Sequence, residues 1–143
     1  MPNEADSRTR SIVVLAPDPG AREEILTGLR ALESGGSTVF VVAADSVADL
    51  GALAANGVPR PHLAIVEMGS AAAAADCVAD LRLWDSTRAI PVLALVDPRA
   101  GEDLTPLRAH ANALLDLAAA GGRSGAVRLA ARFWLRHNKV PPL

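Results

Sequence analysis

RPHLAIVEMGS, residues 60–70, climbs from a proline-broken approach through Leu63, Ala64, Ile65 and Val66 to one carboxylate, Glu67, and then turns at Gly69 and Ser70. A short, continuous apolar run closed by glycine reads as a strand buried on both faces. Such strands belong to parallel sheets covered by helices above and below, because the crossover connections of a parallel sheet put helices on its faces. An acid at the carboxyl end of such a strand stands at the edge where ligands of open α/β sheets bind.

The rest of the chain repeats the pattern. SIVVLAP (11–17) is an apolar, β-branched run closed by Pro17, and AREEILTGLRAL (21–32) carries helical spacing at Ile25, Leu26, Leu29 and Leu32. After the loop ESGGST, VFVVAA (39–44) is a second strand, and Asp45 or Ser46 can cap a helix over VADLGALAAN that Gly57 ends. HLAIVE is the third strand and AAAADCVADLRL (72–83) the third helix. IPVLALV (90–96) is the fourth strand, followed by the loop DPRAGED, a short helix over LTPLRAHA and a fifth strand, NALLDL (112–117). A last helix runs from about Ser124 to His137, and the chain closes in VPPL.

Five βα units predict a three-layer α/β domain with one parallel sheet. Right-handed crossovers give the strand order 2-1-3-4-5. In that order strands 1 and 3 are neighbours, the winding reverses between them, and Glu67 falls at the crevice they form.

Four acids lie at strand ends: Asp18, Glu67, Asp97 and Asp116. Asp18, Glu67 and Asp97 form a possible acidic cluster, and oxygen ligands of this kind suit a hard cation such as Mg²⁺. A plainer reading makes Asp18, Asp97 and Asp116 caps, since a short carboxylate ahead of a helix accepts its free backbone N–H groups. His62, His110 and His137 have no ligand spacing and read as surface or strand-edge residues. GGRSG (121–125) could offer N–H groups to an anion, but it matches neither phosphate-loop pattern and reads as a flexible connection. Ser70 and Ser124 lie outside any nucleophile elbow.

At 143 residues the chain fits one domain, with a disordered polar arm over 1–10 and the folded unit over 11–143. No apolar run approaches the roughly 18 residues of a membrane span, and the polar N-terminus has no signal-peptide core, so a cytoplasmic protein is expected. A net charge of −2 gives no reason to expect nucleic acid or an anionic membrane as partner. Cys77 is the only cysteine, which excludes an internal disulfide. The only lysine is Lys139, in the tail, and there is no tyrosine.

VLAPDPGAREEIL, RPHLAIVEM and the A-I-P-V-L entry to strand 4 resemble the receiver (CheY-like) domain of two-component response regulators, a flavodoxin-like fold. RFWLRHNKVPP is similar to the ending of the small single-domain, phytochrome-associated response regulators. The resemblance spans about residues 11–142. It implies a phosphorelay site: an acidic pair after strand 1 holding Mg²⁺, an acceptor aspartate after strand 3, a Thr or Ser after strand 4 and a Lys after strand 5. There the aspartate is the nucleophile, while cation and lysine neutralise the transferring phosphoryl oxygens.

This sequence departs from that pattern at every position. The acidic pair falls on Ala16 and Pro17, the acceptor on Glu67, the hydroxyl on Val96, the lysine near Leu117, and the aromatic switch of strand 5 on Leu114. Glutamate also carries its carboxylate about 1.5 Å further out than aspartate would. The expectation is a pseudo-receiver, not an enzyme and without a cofactor, in which Glu67 has lost the cationic and hydroxyl groups that would act with it.

What remains is surface. On the last helix Val127, Ala130, Ala131 and Trp134 can face the sheet, which turns Leu129 and Phe133 toward the flank. Arg128, Arg132 and Arg136 recur every four residues, which fits a plain solvated face, and Phe133 fits the core as well as the flank; in the functional reading they outline, with Trp134, an interface for a homodimer. A sensor kinase or another signalling protein is the other expected partner. The alternative is a small-ligand or divalent-cation sensor built on the strand-end acids.

Overall fold

Continuous apolar runs give no amphipathic face to leave in water, so each must be covered on both sides. In the computed structural model, which describes residues 10–33, 39–55, 61–84, 87–97, 100–117 and 122–137, the central runs 11–16, 63–67 and 92–96 are so covered, while the edge runs 40–43 and 113–116 are only partly buried and Phe40 is exposed. The elements in chain order are β1 (Arg10–Leu15), α1 (Pro19–Glu33), β2 (Val39–Ala44), α2 (Val47–Ala55), β3 (Leu63–Val66), α3 (Ala71–Leu83), β4 (Val92–Val96), α4 (Thr105–Arg108), β5 (Ala113–Asp116) and α5 (Gly122–His137). All four strand pairings are parallel, and the sheet order is β2-β1-β3-β4-β5, as the sequence predicts.

Register divides the core into two layers. Ile12 pairs with Leu63, Val13 with Ala64, Val14 with Ile65 and Leu15 with Val66. Side chains alternate across a strand, so Val13, Leu15, Ala64 and Val66 meet Val47 and Leu50 of α2, Val78 and Leu81 of α3 and Leu107 of α4. Ile12, Val14, Leu63 and Ile65 meet Ile25 and Leu29 of α1 and Val127 and Ala131 of α5. Asp18 and Ser46 act as the caps expected of them: Asp18 Oδ2 accepts from Ala21 N at 2.8 Å and Ser46 Oγ from Asp49 N at 3.2 Å.

Several boundaries differ from the sequence reading. β1 starts at Arg10, inside the expected arm; residues 1–9 lie outside the described residues, as do Gly57 and the VPPL tail. α4 is a single turn, four residues instead of the eight of LTPLRAHA, because Pro106 favours only a helix's first turn and the chain leaves it at Ala109. α5 begins at Gly122 and not at Ser124. The GGRSG segment is therefore helical from its second residue, where Gly122 adopts φ 64°, a backbone state that glycine enters without penalty.

The early start of α5 brings it against α1. A Cβ placed on Gly28 would lie 2.4 Å from the carbonyl oxygen of Ser124, well inside van der Waals contact with fixed backbone. Gly28→Ala is expected to destabilise the fold by about 1–2 kcal/mol in urea unfolding, because the overlap outweighs the roughly 1 kcal/mol that alanine gains in a helix. Gly20→Ala serves as control. Its Cβ meets only Asp18 Oδ2, at an ordinary 3.4 Å, and the midpoint should hold or rise.

Candidate functional site

In a parallel α/β layer the helices run antiparallel to the strands. The carboxyl edge of the sheet is thus ringed by helix N-termini, and the first turns of α1, α3 and α5 surround the crevice between β1 and β3.

Glu67 sits in that crevice. Its N–H donates to the carbonyl of Leu15 at 2.9 Å, extending the β1–β3 ladder one residue beyond β3 and fixing the backbone. Glu67 is buried, at 8% exposure, a state a carboxylate tolerates only with partners. The partner is Arg123, from the first turn of α5, whose Nε donates to Glu67 Oε1 at 2.5 Å. The same guanidinium reaches Glu24 of α1 through Nη1. Three elements are tied through one side chain.

The sequence reading did not place an arginine beside Glu67. Burial by itself would lower the guanidinium pKa. The hydrogen bonds to Glu67 and Glu24, with the charges behind them, outweigh burial and hold it above its ordinary value. A cation in the first turn of a helix also opposes the helix dipole, by about 0.3–1 kcal/mol. α5 has no acidic residue of its own there, so Glu67 and Glu24 supply the negative charge from other elements.

The remaining positions are taken up otherwise. Ala16 is buried and Pro17 exposed, and where an acidic pair would stand their carbonyls face Arg22, with Arg22 Nε at 2.9 Å from Ala16 O and Nη2 at 3.5 Å from Pro17 O. Arg22 also pairs with Asp45, joining the loops after β1 and β2. Val96 is buried in the core with Ala94 and Leu107, and half-buried Leu114 packs against the same layer. Leu117 packs on the opposite layer, with its N–H on Val96 O at 2.9 Å.

Of the proposed acids, Asp18 is engaged as a cap and Glu67 as an ion pair, while Asp97 is half-buried after β4 and Asp116 ends β5 exposed. Among the described residues no three His, Cys, Asp or Glu side chains are placed to hold a metal ion. His62 lies at the strand edge, its Nδ1 accepting from Ser11 N at 2.9 Å. Cys77 is buried, and burial first, with Asp80 adding to it, pushes its thiol up to about 12. A thiol of that kind is no nucleophile.

The loop after β4 is anchored to the start of α3. Glu102 Oε1 accepts from Ala71 N at 3.0 Å, and Ser70 Oγ accepts from Ala73 N at 3.1 Å, so two of the free N–H groups at the start of α3 are satisfied. Positive φ at Gly69 (89°) and Gly101 (73°) lets both loops turn there. Glu102 was not foreseen from sequence.

On α5, Val127 and Ala131 are buried and Ala130 half-buried, whereas Arg128 and Leu129 face solvent, Leu129 at 61% exposure. The side chains of Arg132, Phe133, Trp134 and Arg136 lie outside the described residues.

A five-stranded parallel sheet in the order 2-1-3-4-5 is the flavodoxin-like, doubly wound arrangement. Solved structures share it. The phosphorylated cyanobacterial phytochrome response regulator RcpA matches with a TM-score of 0.71 at 16% identity, over 94% of this chain and 99% of that one. The Mn²⁺-bound form of response regulator Rcp1 matches at 0.68 and 16%, over 93% and 99%. A response regulator in red light signalling of R. palustris matches at 0.64 and 18%, over 94% and 99%. At such identities the likeness is one of fold. No family model matches the chain, and no curated protein does. Among the described residues no helix is long and apolar enough to cross a membrane.

Proposed function

We propose that the chain is a receiver-type signalling domain, akin to the phytochrome-associated single-domain regulators, that acts through protein–protein contacts and takes up no phosphate at Glu67. It is a pseudo-receiver with no enzymatic activity of its own. The observation that carries this reading is the ion pair of buried Glu67 with Arg123. A carboxylate whose oxygen accepts a guanidinium N–H at 2.5 Å is held and charge-compensated from within the chain. To serve as a nucleophile it would have to break that pair, with apolar Val96 and Leu117 standing at the positions where the receiver pattern has a hydroxyl and an ammonium. A divalent-cation sensor built on Asp18, Glu67 and Asp97 finds less support, since Asp18 caps α1 and a cation at Glu67 would compete with Arg123.

Incubation with acetyl phosphate and Mg²⁺ should leave the intact mass unchanged, and beryllofluoride should leave the melting curve unchanged. A stoichiometric phosphoryl adduct on Glu67 would refute the proposal.

The partners are a sensor kinase or another signalling protein and, through α5, a second copy of the chain. Exposed Leu129 beside Arg128 supports the flank of α5 as contact surface, an apolar centre with a charged rim. Light scattering at tens of micromolar should report a dimer for the wild type and a monomer for Phe133→Asp. A monomeric wild type removes the dimer from the proposal.

A further inference from the structure

We infer that Arg123 couples the crevice to the outer face of α5, so that the seat of this helix depends on the charge of Glu67. Two independent observations converge on the first turn of α5. One is the guanidinium of Arg123, which joins Glu67 at the end of β3 to Glu24 on α1. The other is the contact one residue further on, where Ser124 and Gly28 approach so closely that a single Cβ would overlap the Ser124 carbonyl.

Together they leave the turn little freedom. The backbone contact blocks any slide of α5 toward α1, and the ion pair holds the turn down onto the sheet. If Glu67 loses its charge, through a bound ligand, a modification or substitution, the part-buried guanidinium keeps at most a neutral acceptor after β3 and its one charged partner is Glu24, which is half-exposed. The turn then tilts about the Gly28–Ser124 contact toward solvent. The next turns carry Val127 and Ala131 on the core and Arg128 and Leu129 on the surface, so the tilt reaches the outward face directly. Glu67 and Arg123 are positioning residues in this device, and neither needs to react. That the moving face serves as output rests on the signalling role proposed above; the coupling itself does not.

Hydrogen exchange of the wild type, Glu67→Gln, Arg123→Met and Arg123→Lys tests it. The amides to follow are 126–130, the first in α5 with carbonyl partners one turn back. Both Glu67→Gln and Arg123→Met should speed exchange there at least tenfold relative to the amides of β1 and β3, and Arg123→Lys should restore part of the protection. Val127→Ala, which loosens the core without touching the ion pair, should lower protection in α5 and the sheet alike. Exchange at 126–130 that stays at the wild-type rate in Glu67→Gln, or rises only in step with the sheet, overturns the coupling. A phosphoryl adduct on the wild type would defeat the proposed function and leave this result standing.

Discussion

Arg123→Met should lower the stability of the fold by about 3 kcal/mol, the low end of what is lost when one partner of a buried ion pair is removed. The low end applies because the Arg123 side chain keeps 25% of its exposure while that of Glu67 keeps 10%. In a domain of this size the melting temperature should fall by roughly 10 °C. Glu67→Gln should cost less, about 1–2 kcal/mol, because the amide oxygen still accepts from Nε. The double variant Glu67→Gln/Arg123→Met should lose clearly less than the sum of the two single losses, since no unpaired charge remains inside it. Urea titrations of the four proteins measure this cycle. Strict additivity would mean that the two side chains do not act as a pair in solution.

The second large effect is expected at Arg82, at the opposite edge of the sheet. Among the described residues its guanidinium meets no carboxylate and instead binds backbone: Nε and Nη2 reach His110 O at 3.2 and 2.8 Å, and Nη1 reaches Arg88 O at 2.9 Å and Ile90 O at 2.7 Å. Nη2 also reaches Asn112 Oδ1 at 2.8 Å, and that same oxygen accepts from Val92 N. One side chain from the last turn of α3 thus fixes the entrances to both β4 and β5. Arg82→Met should cost about 2–3 kcal/mol, because hydrogen bonds from a charged donor are worth about 1.5–3 kcal/mol each but water can reach some of the carbonyls left behind. Arg82→Lys should recover less than half of the loss, since an ammonium lacks the planar fork that spans several acceptors. Thermal melts of both variants decide it, and a lysine variant as stable as wild type would show that charge, not geometry, matters here.

The sheet was legible in the sequence because strands buried on both faces leave uninterrupted apolar runs, and right-handed crossovers then allow few orders. Asp18 and Ser46 could be read as caps because capping is local, acting over three residues of chain. Glu67 could be placed for a similar reason, at the end of a run with only one edge to stand on. Arg123 could not be paired with it: the two are 56 positions apart, and GGRSG carries the composition of a loop. One signal pointed the right way. An arginine at the start of the last helix is disfavoured by the helix dipole, and in a parallel sheet that start faces the ligand edge, so an acid from elsewhere had to be near. Arg82 left no such trace, since its acceptors are backbone carbonyls and carry no residue identity. α4 was overread because the apolar spacing of LTPLRAHA fits a helix while Pro106 tolerates only its first turn.

The isolation of Cys77 has a practical side. It is the only thiol in the chain, it lies on the buried face of α3, and burial pushes it up to about 12. A cysteine introduced on the surface of α5, at Arg128 for example, would therefore be the single group open to a maleimide dye or nitroxide under native conditions. The native sequence can serve directly as the background for distance measurements between α5 and its surroundings, with no cysteine-free variant to prepare.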